Sequence, residues 1–236
     1  MTALVHPNSE IQTDERGAAL ALLPIAATLD YYALPEWLQS QPLVQFAPQV
    51  IGYLALALWS SHNRCVLTRL GLQPFYWRRG AKMGLVTGVC LGSLNTFVIL
   101  KLMPSGGSDI SFLKDTPHAQ MPVLIMVPWF ISMIALLVEL NFRGFVLGRL
   151  ATLESTIWRQ AILRRISPLA LCSSAMVFAF DPFMVTTFRD LHWIALSDGL
   201  VWGLLWLRTR NLYATIVAHA VEVIVVYSAV RAALMS

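Results

Sequence analysis

Apolar residues in this chain run in long blocks, and short polar, arginine-rich stretches separate them. The blocks are Gly17 to about Leu34, Leu43 to Trp59, Ala81 to Met103, Met121 to about Leu150, Ile166 to Phe183, Leu191 to Leu207 and Leu212 to Leu234. Each is long enough for a helix crossing a bilayer, which takes roughly 17 to 25 residues. The first is weakened by Asp30, and the fourth is over-long, so its last turns are expected to leave the hydrocarbon. The pattern predicts an all-α, polytopic transmembrane helix bundle of about seven spans. Residues 1–16 read as a polar tail without the basic start of a cleavable signal peptide. Residues 17–236 read as a single bundle.

Composition sharpens that picture. Of 236 residues, 57% are apolar or aromatic and 13% are charged, against about 25% charged in ordinary globular chains. Such a chain lacks the polar surface to cover a water-soluble body. The net charge of +4 reports orientation rather than affinity for nucleic acid. With the N-terminus inside, twelve Lys or Arg fall on the cytoplasmic side and four on the other, as the positive-inside rule requires. The N-terminus is therefore expected in the cytoplasm, and no nucleic-acid partner is expected. Cys65, Cys90 and Cys172 suggest no disulfide or zinc framework and read as small packing residues. Gly80, Gly84, Gly88 and Gly92 recur every fourth residue, with Gly144/Gly148 and Gly199/Gly203 repeating the spacing, so helix backbones can approach closely there. The segment Asn63 to Arg79 carries an apolar face (Val66, Leu67, Leu70, Leu72) that suits the cytoplasmic membrane surface.

Ionisable residues inside the spans are costly unless they are paired or face water. There are six: Glu139, Arg143, Asp181, Asp198, His219 and Glu222. At a rise of about 1.5 Å per residue, Glu139, Asp198, His219 and Glu222 lie roughly 12 to 17 Å above the cytoplasmic boundary, and Asp181 nearer to about 24 Å. Several helices thus bring polar groups to one slab of the bilayer, which a water-filled cavity within the bundle would accommodate. Glu139 and Arg143 are spaced i,i+4 with the acid first, so they can neutralise each other. His219 and Glu222 are spaced i,i+3 and could form a buried hydrogen-bonded pair. Asp198 could hydrogen-bond a neighbouring helix.

The stretch Val138-Glu139-Leu140-Asn141-Phe142-Arg143-Gly144-Phe145 resembles the Glu-Glu-x-x-x-Arg-Gly-Phe motif of the CAAX protease and bacteriocin-processing (CPBP, or Abi) family of intramembrane glutamate proteases. Ser173 to Asp181 resembles the family's Ser-Ser-x-x-Phe-x-x-x-His. Gly199-Leu200-Val201-Trp202-Gly203, followed by His219-Ala220, resembles the stretch leading into its His-Ala-x-x-Asn. The resemblance spans about 121–226, which would be a protease-like core. In that family the first Glu and first His are taken to activate water, while the last His and Asn stabilise the oxyanion. Carried over by position, the second Glu, the Arg and the last His are kept as Glu139, Arg143 and His219. The first Glu becomes Val138, the first His becomes Asp181 and the Asn becomes Val223, with Glu222 just before it. Valine carries no proton, and an ionised aspartate cannot act as an imidazole does.

The resemblance therefore implies a divergent CPBP-type protease-like protein with peptide hydrolysis weakened or lost. Its candidate site residues are Glu139, Arg143, Asp181, His219 and Glu222. Residual catalysis would use Glu139 or Asp181 as base beside His219. The alternative is a non-catalytic scaffold or accessory subunit in a membrane complex. The expected partners are membrane lipid and either a membrane-protein or lipidated-peptide substrate or a complex partner. No cofactor and no metal are expected, since one His and two carboxylates on different helices are a weak ligand set. A transporter reading finds no inverted repeat to support it. A bacterial inner membrane fits the short loops.

Overall fold

The computed structural model describes residues 15–157 and 167–235. Most of the expected tail, and the basic stretch holding Arg159, Arg164 and Arg165, lie outside the described residues. Within them the chain is helical, with no strand. Each helix satisfies its backbone groups internally, which a lipid environment demands.

The helices that matter here are α1 (Ala18–Ala33), α2 (Pro42–His62), α3 (Trp77–Phe97), α4 (Val123–Ile157), α5 (Pro168–Ala179), α6 (Pro182–Phe188), α7 (His192–Thr209) and α8 (Leu212–Met235). Pro42, Pro168 and Pro182 stand at helix starts, where the missing N–H costs nothing and the fixed φ suits the first turn. All seven apolar blocks are helical among the described residues. By length and apolarity, four helices can cross a membrane: α2, the 40-residue stretch Val66–Ser105 that contains α3, α4, and α8. The α5–α6 pair, bent by 54°, makes a fifth if counted as one span. The remaining two blocks fall short of the same measure: α1 is a shorter apolar helix, and α7 is diluted by His192, Asp198 and Arg208.

The glycine stripe sets the tightest packing. Gly84, Gly88 and Gly92 face α8 and Gly80 faces Asn211 just before it, with no room for a side chain. A Cβ at Gly88 would lie 2.6 Å from the Ala218 carbonyl oxygen, and one at Gly92 would lie 2.8 Å from Val225 Cβ. On α7, Gly199 lets α5 approach at Ala175, and Gly203 faces Leu171. Helix α8 thus sits in the middle, against α3, α4 and α7.

The segment after α2 is only partly a surface element. Leu67, Phe75, Tyr76 and Trp77 are exposed, but Leu70 is turned into the core. Gly71 ends the short helix Val66–Leu70 in the left-handed conformation, φ 87°. Its carbonyl accepts from the Leu212 N–H at 2.9 Å. The cysteines also differ from expectation: Cys65, Cys90 and Cys172 are exposed, so Cys90 and Cys172 lie on the outer face of their helices rather than in packing seams.

Near the expected cytoplasmic end, Glu15 is buried and binds three elements at once. It pairs with Arg69 at 3.3 Å and with Arg149, and accepts from the Trp59 indole N–H at 3.0 Å. Arg149 is buried inside α4 and lies 4.1 Å over the Trp59 ring.

Candidate functional site

The first polar group is built on α4 and α8. Glu139 ends a regular helical stretch, and a wider π-helical turn, Leu140–Leu147, follows it; such turns often mark functional positions. Glu139 is fully buried (0% exposed) and Arg143 is 1% exposed. They form the expected i,i+4 ion pair, Arg143 Nη1 to Glu139 Oε1, at 3.1 Å. His219 joins them from α8, with Nδ1 3.0 Å from the same oxygen. Aromatic faces close the group. The Arg143 guanidinium lies 4.3 Å from the Phe178 ring centre, and Trp202 stacks on His219 at 4.3 Å with a 20° interplanar angle.

This arrangement fixes the imidazole. A carboxylate paired with a guanidinium only accepts hydrogen bonds, so Nδ1 of a neutral His219 carries the hydrogen and Nε2 carries the lone pair.

The second group joins α3, α7 and α8. The Asn95 amide nitrogen donates to both oxygens of Asp198, at 3.1 Å each, and to Glu222 Oε1 at 3.0 Å. Asp198 thus bonds a neighbouring helix as expected. His219 and Glu222 do not pair with each other: His219 goes to Glu139 and Glu222 to Asn95. Adjacent positions on one helix face proved less decisive than partners brought in from α3 and α4.

Asp181 stands apart from both groups, at the bend between α5 and α6. Its Oδ1 accepts from the Gln49 amide at 2.8 Å and from the Phe183 N–H at 3.1 Å, so it caps α6.

All three regions border one cavity of about 610 Å³. Asp181, Asp198, His219 and Glu222 line it together with Gln49, Tyr53 and Asn95, and the rest of the wall is mainly apolar. Val138 and Val223 are also on the wall. Glu139 and Arg143 are not. Among the described residues no three His, Cys, Asp or Glu side chains are grouped so as to hold a metal ion.

Three polar contributors went unnoticed in the sequence: Gln49, Asn95 and Trp202. Gln49 and Asn95 are uncharged amides within apolar blocks. A survey restricted to ionisable residues passes over them, although a lone amide in a span carries the same signal at lower amplitude.

Residues 120–225 match the family model for the type II CAAX prenyl endopeptidase, Rce1-like. This segment is Rce1-like. It includes all three stretches that resemble the CPBP motifs, so the chain carries a CAAX protease-like segment among its apolar, membrane-spanning helices. No curated protein and no solved structure matches the chain. By the motif resemblance, three of the family's four water-activating and oxyanion positions would fall on Val138, Asp181 and Val223 and the fourth on His219, and all four line the cavity. Of the motif residues kept, His219 lines the cavity, whereas Glu139 and Arg143 do not.

Proposed function

We propose that this chain is a CPBP-type protease-like protein in which hydrolysis by the family's glutamate–histidine pair is lost. Its cavity then serves to hold an apolar or lipidated segment of a membrane partner. One observation carries this reading. Val138 and Val223 line the cavity where a base and an oxyanion donor are needed, while Glu139 does not line it, is neutralised by Arg143 and is hydrogen-bonded by His219.

The polarity of His219 supports the same reading. Stabilising an oxyanion requires an N–H aimed at it. With Nδ1–H committed to Glu139, the free edge of the neutral ring offers a lone pair instead. Asp181 is likewise engaged as a helix cap. The short loops fit a bacterial inner membrane as the site of action.

The test is hydrolysis in proteoliposomes with a prenylated membrane peptide. The expected result is no cleavage above that of protein-free vesicles. Cleavage by the purified wild type that disappears in a folded Glu139→Gln or His219→Ala variant would overturn the proposal. Affinity purification with cross-linking from native membrane is expected to recover a stable membrane-protein partner.

A further inference from the structure

The cavity wall carries two carboxylates, Asp198 and Glu222, beside His219 and Trp202. Asp198 and Glu222 converge on a single amide nitrogen, that of Asn95, whose hydrogens are thereby committed to them. Two carboxylates held this close cannot both stay ionised in a medium of low dielectric constant unless a cation joins them. Arg143 interacts electrostatically with Asp198, but it is paired with Glu139. Lys114 and Arg231 also line the cavity, but Lys114 is exposed on the 111–115 turn. Arg231 is held by the Ala119 carbonyl at 2.7 Å. None of the described cations is bonded to Asp198 or Glu222.

A second, independent observation points the same way. His219 is 8% exposed and lines this cavity, and its Nε2 has no hydrogen-bond partner among the described residues. Nδ1 is tied to Glu139, so a neutral ring carries its lone pair on Nε2. His219 and Glu222 lie one turn apart on α8, where i,i+3 side chains are neighbours. Asp198 faces them from α7. Three acceptors from two helices therefore bound one end of a largely apolar chamber.

We propose that the cavity selects a primary ammonium group carried on an apolar body. The ammonium's three N–H donors meet Asp198, Glu222 and the His219 Nε2, and the body lies along Ile99, Ile131, Leu137 and Ile194. A cation between the two carboxylates removes their repulsion, and the apolar wall supplies the burial. This inference rests on the reading of the cavity as a binding chamber.

The experiment uses the full chain in nanodiscs and calorimetric titration with dodecylammonium, dodecyltrimethylammonium and dodecanol. Dodecylammonium is expected to bind at least about tenfold more tightly than the other two, because only it combines the charge with N–H donors. The Asp198→Asn/Glu222→Gln variant, checked for folding by thermal unfolding, is expected to lose that preference. Because the ligand series is run on the wild type, the test stands even where the variant does not fold.

Equal affinity for dodecanol overturns the inference and leaves the binding chamber standing. Equal affinity for the trimethyl compound overturns the N–H requirement and with it the inference. Absence of binding by all three overturns inference and chamber together, and peptide cleavage strikes only the loss of hydrolysis. An apolar helical peptide with one Lys, compared with the same peptide carrying norleucine, tells a peptide source of the ammonium from a lipid one. Preference for the Lys peptide assigns the site to a membrane-protein side chain; its absence alongside tight dodecylammonium binding assigns it to an aminolipid.

Discussion

Glu139 shows how a buried charge can be structural and still shape chemistry. Its single oxygen Oε1 serves Arg143 and His219 together, so it neutralises a cation and sets the tautomer of an imidazole. Removing its charge leaves the guanidinium buried without a counter-ion, a change that costs about 3–5 kcal/mol in comparable settings. Glu139→Gln is therefore expected to destabilise the protein by that order in detergent unfolding experiments. Glu139→Gln combined with Arg143→Met is expected to recover more than half of the loss, because neither charge then remains. The Glu139/Arg143 pair was legible from spacing alone, since both partners lie on one helix. The Glu139–His219 bond was not, because it depends on how α8 is rotated against α4. The same rotation gives Glu222 to Asn95, which no local pattern announces.

The α3–α8 contact was legible for the opposite reason. A glycine at every fourth position marks a face without needing its partner, and the partner is α8, whose Ala214, Val217, Ala218, Val221 and Val225 fill the space. Gly88→Val would drive a branched side chain against the Ala218 carbonyl, a backbone atom that cannot rotate away. The expected loss is roughly 3 kcal/mol, the upper end of the usual range for overpacking. Val89→Ala, one position along and exposed, is expected to change stability by less than about 0.5 kcal/mol; thermal unfolding of the pair separates the two effects. The bend between α5 and α6 was hidden because Ile166 to Phe183 reads as one apolar block. Pro182, preceded by a residue able to cap, was the available signal.

The molecule as a whole is tied together near its start. Glu15 joins the chain preceding α1 to α2, α4 and the Val66–Leu70 turn, so Glu15→Gln leaves both Arg69 and Arg149 without their counter-ion. A loss of about 3 kcal/mol is expected, measurable as a lower unfolding temperature in micelles. Embedding of the bundle can be read with its own cysteines. In a Cys172→Ala background, a membrane-impermeant maleimide is expected to label Cys65, at the end of the arginine-rich segment, and to spare Cys90, thirteen residues beyond the start of α3. Labelling of both would place α3 outside the lipid. With the N-terminus in the cytoplasm, Cys65 is expected to react in inverted vesicles and not in right-side-out cells. Orientation belongs to the charge distribution and not to the helices, which is why composition addresses it and geometry does not.

Asp181, at the position that the resemblance pairs with the family's first histidine, is part of the frame. One oxygen of Asp181 stops α6 from fraying and holds Gln49 of α2. Asp181→His would surrender both bonds before any imidazole could work. Introducing the family's motif residues one substitution at a time thus passes through a weakened bundle, because the cap at position 181 is lost first.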